Sequence, residues 1–90
     1  MFYTYILYAE KSGSFYIGQT NNLSDRLERH NDGKNKYTRN KGPWNIAAFF
    51  KCETRSQAVL LEKKLKNFKN GEFALNWLLK NGGSNGRPDS

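Results

Sequence analysis

The residues of this chain best suited to chemistry gather between Phe15 and His30, in the stretch FYIGQTNNLSDRLERH. Tyr16 brings a hydroxyl, and Arg26 a planar fork that can hold two phosphate oxygens at once. His30 can take or give a proton near neutral pH. A second hydroxyl, Tyr5, lies upstream, and Glu62 is the only acid between Thr54 and Asn70. Phosphodiester hydrolysis draws on these types. It needs a group to deprotonate water, positive charge where the phosphorane charge develops, and something to stabilise the departing alkoxide.

Position sharpens this. Phe15-Tyr16-Ile17 reads as a strand that meets Gly18, turns, and enters a helix capped by Asn21 or Asn22. Leu23 and Leu27 follow at helical spacing. At about 100° per residue, His30 falls about 20° from Leu23 and Arg26 about 60° from it, both on the buried side. Asp25, Glu28 and Arg29 point to water. Taken alone, the helix would place Arg26 and His30 there for packing and hydrogen bonding at the core edge just as readily.

With Tyr3-Thr4-Tyr5 upstream, the stretch resembles the GIY-YIG nuclease family, most of all its small single-domain bacterial members. Tyr16-Ile17-Gly18 is the second half of the name intact, and the arginine and histidine four residues apart follow in order. Tyr3-Thr4-Tyr5 stands for the first half, with glycine and isoleucine replaced and the final tyrosine kept. The resemblance spans roughly residues 2 to 70. It implies a metal-dependent DNA endonuclease with Tyr5, Tyr16, Arg26, His30 and Glu62 as catalytic residues. Tyr5 would be the general base and Glu62 the ligand of one Mg²⁺, whose other ligands would be waters and phosphate oxygens. Which tyrosine is the base, and whether His30 relays the proton or binds phosphate, stays open at this level. An unperturbed tyrosine, with a pKa of about 10, needs nearby positive charge for that role. Some members add an asparagine after the metal-binding helix; Asn67, Asn70 and Asn76 are candidates, and none is assigned.

Charge points the same way. The net charge is +7. Residues 26 to 69 carry twelve basic side chains against four acids, a local excess of +8. Such a surface binds polyanions by releasing condensed counterions. Lys34, Lys36, Tyr37, Arg39 and Lys41, with Lys63 and Lys66, are the expected nucleic-acid contacts; the cations neutralise phosphates and the tyrosine ring can stack on an unpaired base. Solubility alone would also explain a basic chain. The expected partner is DNA, in structure-selective cleavage during repair or recombination. With no second domain to choose a site, a protein partner or a second copy would supply specificity. A non-catalytic nucleic-acid-binding module and a protein-interaction domain are the competing readings.

The remaining chain must position these groups. Ninety residues suit one domain, whose small core leans on six Phe, five Tyr and two Trp. A lone Cys52 excludes a disulfide framework within the chain and a multi-cysteine zinc site. The absence of a long apolar run or a signal-like start leads us to expect a cytoplasmic protein with no membrane association. We expect an α/β domain over residues 1–80, with a three-stranded, mainly antiparallel sheet (2–8, 14–19 and 45–51). Its first strand should be central, being apolar on both faces. Flanking helices are expected near 22–31, 55–68 and 72–80. Thr54 and Gln57 form a capping box, and Ala58, Leu61, Leu65 and Phe68 form a buried stripe with Glu62 at its flank. Glu62 there could simply pair with Lys66 four residues on. Gly71 should break the chain, and Phe73, Trp77 and Leu78 should anchor the last helix. Residues 81–90, NGGSNGRPDS, have too little apolar surface to offset ordering and are expected to form a mobile tail.

Overall fold

The first strand, β1 (Phe2–Ala9), lies inside the sheet and is apolar on both sides, so each face can be covered. In the computed structural model, which describes residues 1–85, β1 is followed by β2 (Ser14–Thr20), α1 (Leu23–Asn31) and β3 (Asn45–Cys52). Then come α2 (Arg55–Asn67), α3 (Gly71–Lys80) and β4 (Ser84–Asn85). The strands stand in the order β2-β1-β3-β4, every pair antiparallel. The three expected strands are present with β1 inside. Residues 84 and 85 add a two-residue fourth strand against Phe49 and Ala48. The segment expected to be a tail therefore begins with a turn, closed by Gly83 N–H donating to Leu78 C=O, and then a sheet contact. The expectation for residues 86–90 lies outside the described residues.

Alternation along β1 divides the core. Ile6 packs with Ala48, Leu65, Ala74 and Leu78 beneath α2 and α3. Tyr5, Leu7 and Ala9 pack with Trp44, and half-buried Tyr16, Leu23 and Leu27 close that side under α1. Thr4 faces α2 and donates its hydroxyl to Ala58 C=O at 2.8 Å, pinning the helix to the strand. Each helix starts where a side chain can accept from a free backbone N–H. Asn22 does this for Asp25, Thr54 and Gln57 form the reciprocal capping box, and Asn70 caps α3 by accepting from Phe73.

Two expectations for the C-terminal helix are corrected. Gly71 does not break the chain but opens α3 behind the Asn70 cap, and a Cβ there would collide with the Phe15 ring. Phe73 is 54% exposed and is not an anchor; its ring meets that of Phe68 edge-on, while Ala74 and Leu78 are fully buried. Positions 74 and 78, one turn apart, define the inward line, and Phe73 lies a full 100° step off it. Among the described residues, no helix is long and apolar enough to cross a membrane.

Ala74 and Phe73 should therefore respond oppositely to substitution. Ala74→Leu overfills the α3–sheet contact and should cost about 1–3 kcal/mol. Phe73→Ser, at an exposed site, should cost less than about 1 kcal/mol. Urea denaturation of the two variants tests the assignment.

Candidate active site

Tyr5 stands directly opposite Gly18 in the β1–β2 ladder. Its phenol lies across that glycine: a Cβ at Gly18 would come within 2.6 Å of the Tyr5 hydroxyl oxygen and 3.2 Å of the Tyr16 ring. Gly18 thus leaves the space through which a side chain from an inner strand crosses β2 toward its edge. There the Tyr5 hydroxyl meets His30 Nε2 at 3.1 Å. The Tyr16 ring lies 4.6 Å from the His30 ring, centroid to centroid, and 6.4 Å from that of Tyr5. Tyr5 and His30 are 1% and 2% exposed, whereas Tyr16 is half-buried.

His30 reaches this position because the last turn of α1 turns inward at the residue one turn beyond Arg26. Its second nitrogen, Nδ1, lies 2.8 Å from Thr38 Oγ1. The half-buried Arg26 side chain sits beside the Tyr5 hydroxyl, favouring its ionised form through charge and hydrogen bonding. The buried Arg26 Nε has no hydrogen-bond partner among the described residues. Burial first, then the neighbouring Tyr16, outweigh that guanidinium and push the Tyr5 hydroxyl well above the usual tyrosine range. Burial, then the Arg26 charge, hold His30 below its ordinary value. At neutral pH the resting pair is therefore a neutral phenol on a neutral imidazole.

Glu62 comes from the opposite side of the sheet, one turn beyond the Ala58 anchor. Its side chain is 19% exposed and its carboxylate pairs with Lys66 Nζ at 2.8 Å. Its charge is felt at the Tyr5 hydroxyl, weakly, but it touches neither tyrosine, His30 nor Arg26 through any hydrogen bond. Lys66 in turn shares a cleft of about 440 Å³ with Tyr16, Tyr37, Thr38, Lys41 and Trp44. Tyr37 is 74% exposed there. Lys34, Lys36, Arg39 and Lys63 are also exposed; Arg39 borders a neighbouring hollow with His30.

The donor set limits which metal could bind. Among the described residues no three His, Cys, Asp or Glu side chains converge, so a fully protein-ligated ion such as structural zinc does not fit. One carboxylate does fit Mg²⁺, which keeps several waters and takes phosphate oxygens as ligands. Of the three asparagine candidates, Asn70 is committed to capping α3.

A model of the GIY-YIG catalytic domain matches residues 1–75. The chain belongs to the GIY-YIG family. It is similar to UPF0213 protein OB0043 of Oceanobacillus iheyensis, 42% identical over 65 residues that cover 71% of this chain and 74% of that one. UPF0213 protein CPE1444 of Clostridium perfringens is 42% identical over 67 residues, 73% and 71% of the two chains. The solution NMR structure of UPF0213 protein BH0048 from Bacillus halodurans covers 99% of this chain and 90% of its own, with a TM-score of 0.52 and 30% identity.

The geometry adds two residues that the sequence reading did not assign to the site. Gly18 was legible only as a motif letter, since its role depends on standing opposite Tyr5. Thr38 sits in a basic connector where nothing local separates it from a solvated threonine. Yet it is 1% exposed and touches His30.

Gly18→Ala tests the crossing. The added methyl must displace the Tyr5 ring, at a cost of about 1–3 kcal/mol in thermal or chemical unfolding. The Tyr5–His30 contact should disappear from nuclear Overhauser spectra of the folded variant.

Proposed function

We propose that this GIY-YIG chain is a metal-dependent DNA endonuclease that hydrolyses phosphodiester bonds at the β2 edge. The observation that carries the proposal is the buried Arg26 Nε without an acceptor, held beside the Tyr5–His30 pair. A buried N–H group without a partner costs about 1–3 kcal/mol, more when charged. A phosphate oxygen brought against the half-buried guanidinium would compensate its charge, and the contact would strengthen as phosphorane charge grows.

Tyr5, Tyr16 and His30 handle the proton. Water attacks phosphorus, the bond to the leaving oxygen breaks, and the water's proton enters the tyrosine pair from the cleft side, where Tyr16 lies. It ends, by transfer, on His30 Nε2, the acceptor already facing Tyr5. The leaving oxygen takes a proton from solvent. Glu62 would hold the Mg²⁺, which would supply Lewis-acid charge for phosphodiester hydrolysis. Glu62 must first part from Lys66, whose ammonium is then available to a second phosphate in the shared cleft. Exposed Tyr37 beside that cleft suits a base left unpaired, which supports branched DNA of the kind met in repair and recombination as the substrate class.

Cleavage of supercoiled, branched and single-stranded DNA with and without Mg²⁺ tests the reading. Glu62→Gln keeps the size and removes the anionic ligand, so metal-dependent cleavage should vanish while DNA binding persists. Arg26→Ala should lower the rate roughly 10²–10³-fold, the scale of one lost preorganised donor. Binding without cleavage of any of these DNAs would favour the non-catalytic module instead.

The basic connector makes a separate prediction. Replacing Lys34, Lys36 and Lys41 by Ala together should weaken binding to all sequences alike. The slope of log affinity against log salt should flatten by about 1 for each lysine that contacts phosphate. Equal affinity at low and high salt for the unaltered protein would remove the electrostatic footprint.

A further inference from the structure

Proton bookkeeping around His30 leads beyond the motif residues. The Arg26 guanidinium lies beside the Tyr5 hydroxyl and can only donate, so it favours that oxygen as an acceptor. The hydroxyl's own proton is then left for His30 Nε2, 3.1 Å away. A neutral imidazole whose Nε2 accepts must carry its hydrogen on Nδ1, and the group facing Nδ1 is Thr38 Oγ1 at 2.8 Å. The lowered basicity of the buried ring keeps it in this neutral form at neutral pH. Free imidazole side chains favour the other tautomer, with the hydrogen on Nε2. That form would turn an Nε2–H toward a hydroxyl that already lies beside the Arg26 donors.

Thr38 is built for this contact. Its backbone N–H donates to Asn35 Oδ1 at 3.3 Å, and its carbonyl accepts from the Trp44 indole N–H at 2.9 Å. Trp44 is itself held by Asn31, which follows His30: Asn31 Oδ1 accepts from Trp44 N–H at 2.6 Å and Asn31 Nδ2 donates to Trp44 C=O at 3.1 Å. The end of α1, the connector and the start of β3 therefore close on one another around the His30–Thr38 bond. A solvated threonine in a basic loop would need none of these contacts.

We infer that Thr38 is a positioning residue that holds His30 as its Nδ1–H tautomer, so that the Nε2 lone pair faces Tyr5 and is ready to receive a proton. The inference deepens the nuclease reading of this site and rests on it for its catalytic consequence, but the tautomer itself can be read without DNA or metal.

The chain has a single histidine, so long-range ¹H–¹⁵N correlation spectra of the imidazole carry one unambiguous pattern. In the unaltered full chain above the His30 pKa, Nδ1 should resonate in the protonated, pyrrole-like range and Nε2 in the pyridine-like range. Thr38→Val keeps the shape and removes the acceptor; the pattern should then average or invert, and Thr38→Ser should restore it. In cleavage assays Thr38→Val should lower kcat on the order of tenfold, the scale of one net hydrogen bond, with KM within about twofold, and Thr38→Ser should recover the rate. An unaltered protein with its hydrogen on Nε2 overturns the inference without recourse to any variant. So does a folded Thr38→Val protein with an unchanged nitrogen pattern and rate. If the nitrogen pattern is as expected but the unaltered protein cleaves no DNA, the nuclease reading fails and the tautomer assignment stands. Cleavage by a protein with the opposite tautomer reverses that outcome.

Discussion

Everything at the candidate site depends on the missing side chain at Gly18. Tyr5 belongs to an inner strand, where a residue would ordinarily project straight into the core and stay there. Because its cross-strand neighbour has no Cβ, the phenol can lie along the sheet surface and carry its hydroxyl over β2. The rest of the arrangement is a response to that reach. α1 turns His30 inward to receive the hydroxyl, Tyr16 covers the imidazole, and Arg26 brings a charge to a place that water hardly enters. The core pays for this with polar groups at full burial, and among the described residues each is compensated by a partner except the Arg26 Nε.

The strict alternation of β1 ties two halves of the site together. Thr4 points toward α2 and grips Ala58, while its neighbour Tyr5 points toward α1 and grips His30. Glu62 follows Ala58 by one helical turn. The tyrosine–histidine pair and the carboxylate are thus held from opposite faces by adjacent residues of one strand. A one-residue slip of register would exchange the faces and dismantle both. Groups from two strands and two helices are in this way gathered around a single sheet.

Much of this was legible in the sequence because periodicity and capping are local. The inward placement of His30 beyond Leu23 and Leu27, the caps at Asn22 and Thr54, and the apolar faces of β1 all follow from residue type at fixed spacing. What escaped was set at longer range. The turn Glu10–Gly13 does not specify which residue of β2 stands opposite Tyr5, so the Tyr5–Gly18 pairing could not be read. Thr38 acquires its importance from His30 across eight residues and from Trp44 across six. Ser84 and Asn85 are too few to show strand periodicity. Hydrophobicity pointed to Phe73 as an anchor, whereas angular position gave the buried place to a small alanine.

The clasp between Asn31 and Trp44 also bears on how the molecule opens. It spans thirteen residues of chain with side-chain bonds in place of a strand ladder, so releasing it restores the loop's conformational entropy without unpairing any strand. The connector is therefore expected to open as a unit of its own, at a smaller cost than the sheet beneath it. Amide exchange at Thr38 and Trp44 would then report a sub-global event, uncoupled from exchange in β1. In such an excursion His30 loses one of its two hydrogen-bonding partners while Tyr5, locked in the sheet, stays in place. The imidazole stands between the two, bonded to the sheet through Tyr5 and to the connector through Thr38.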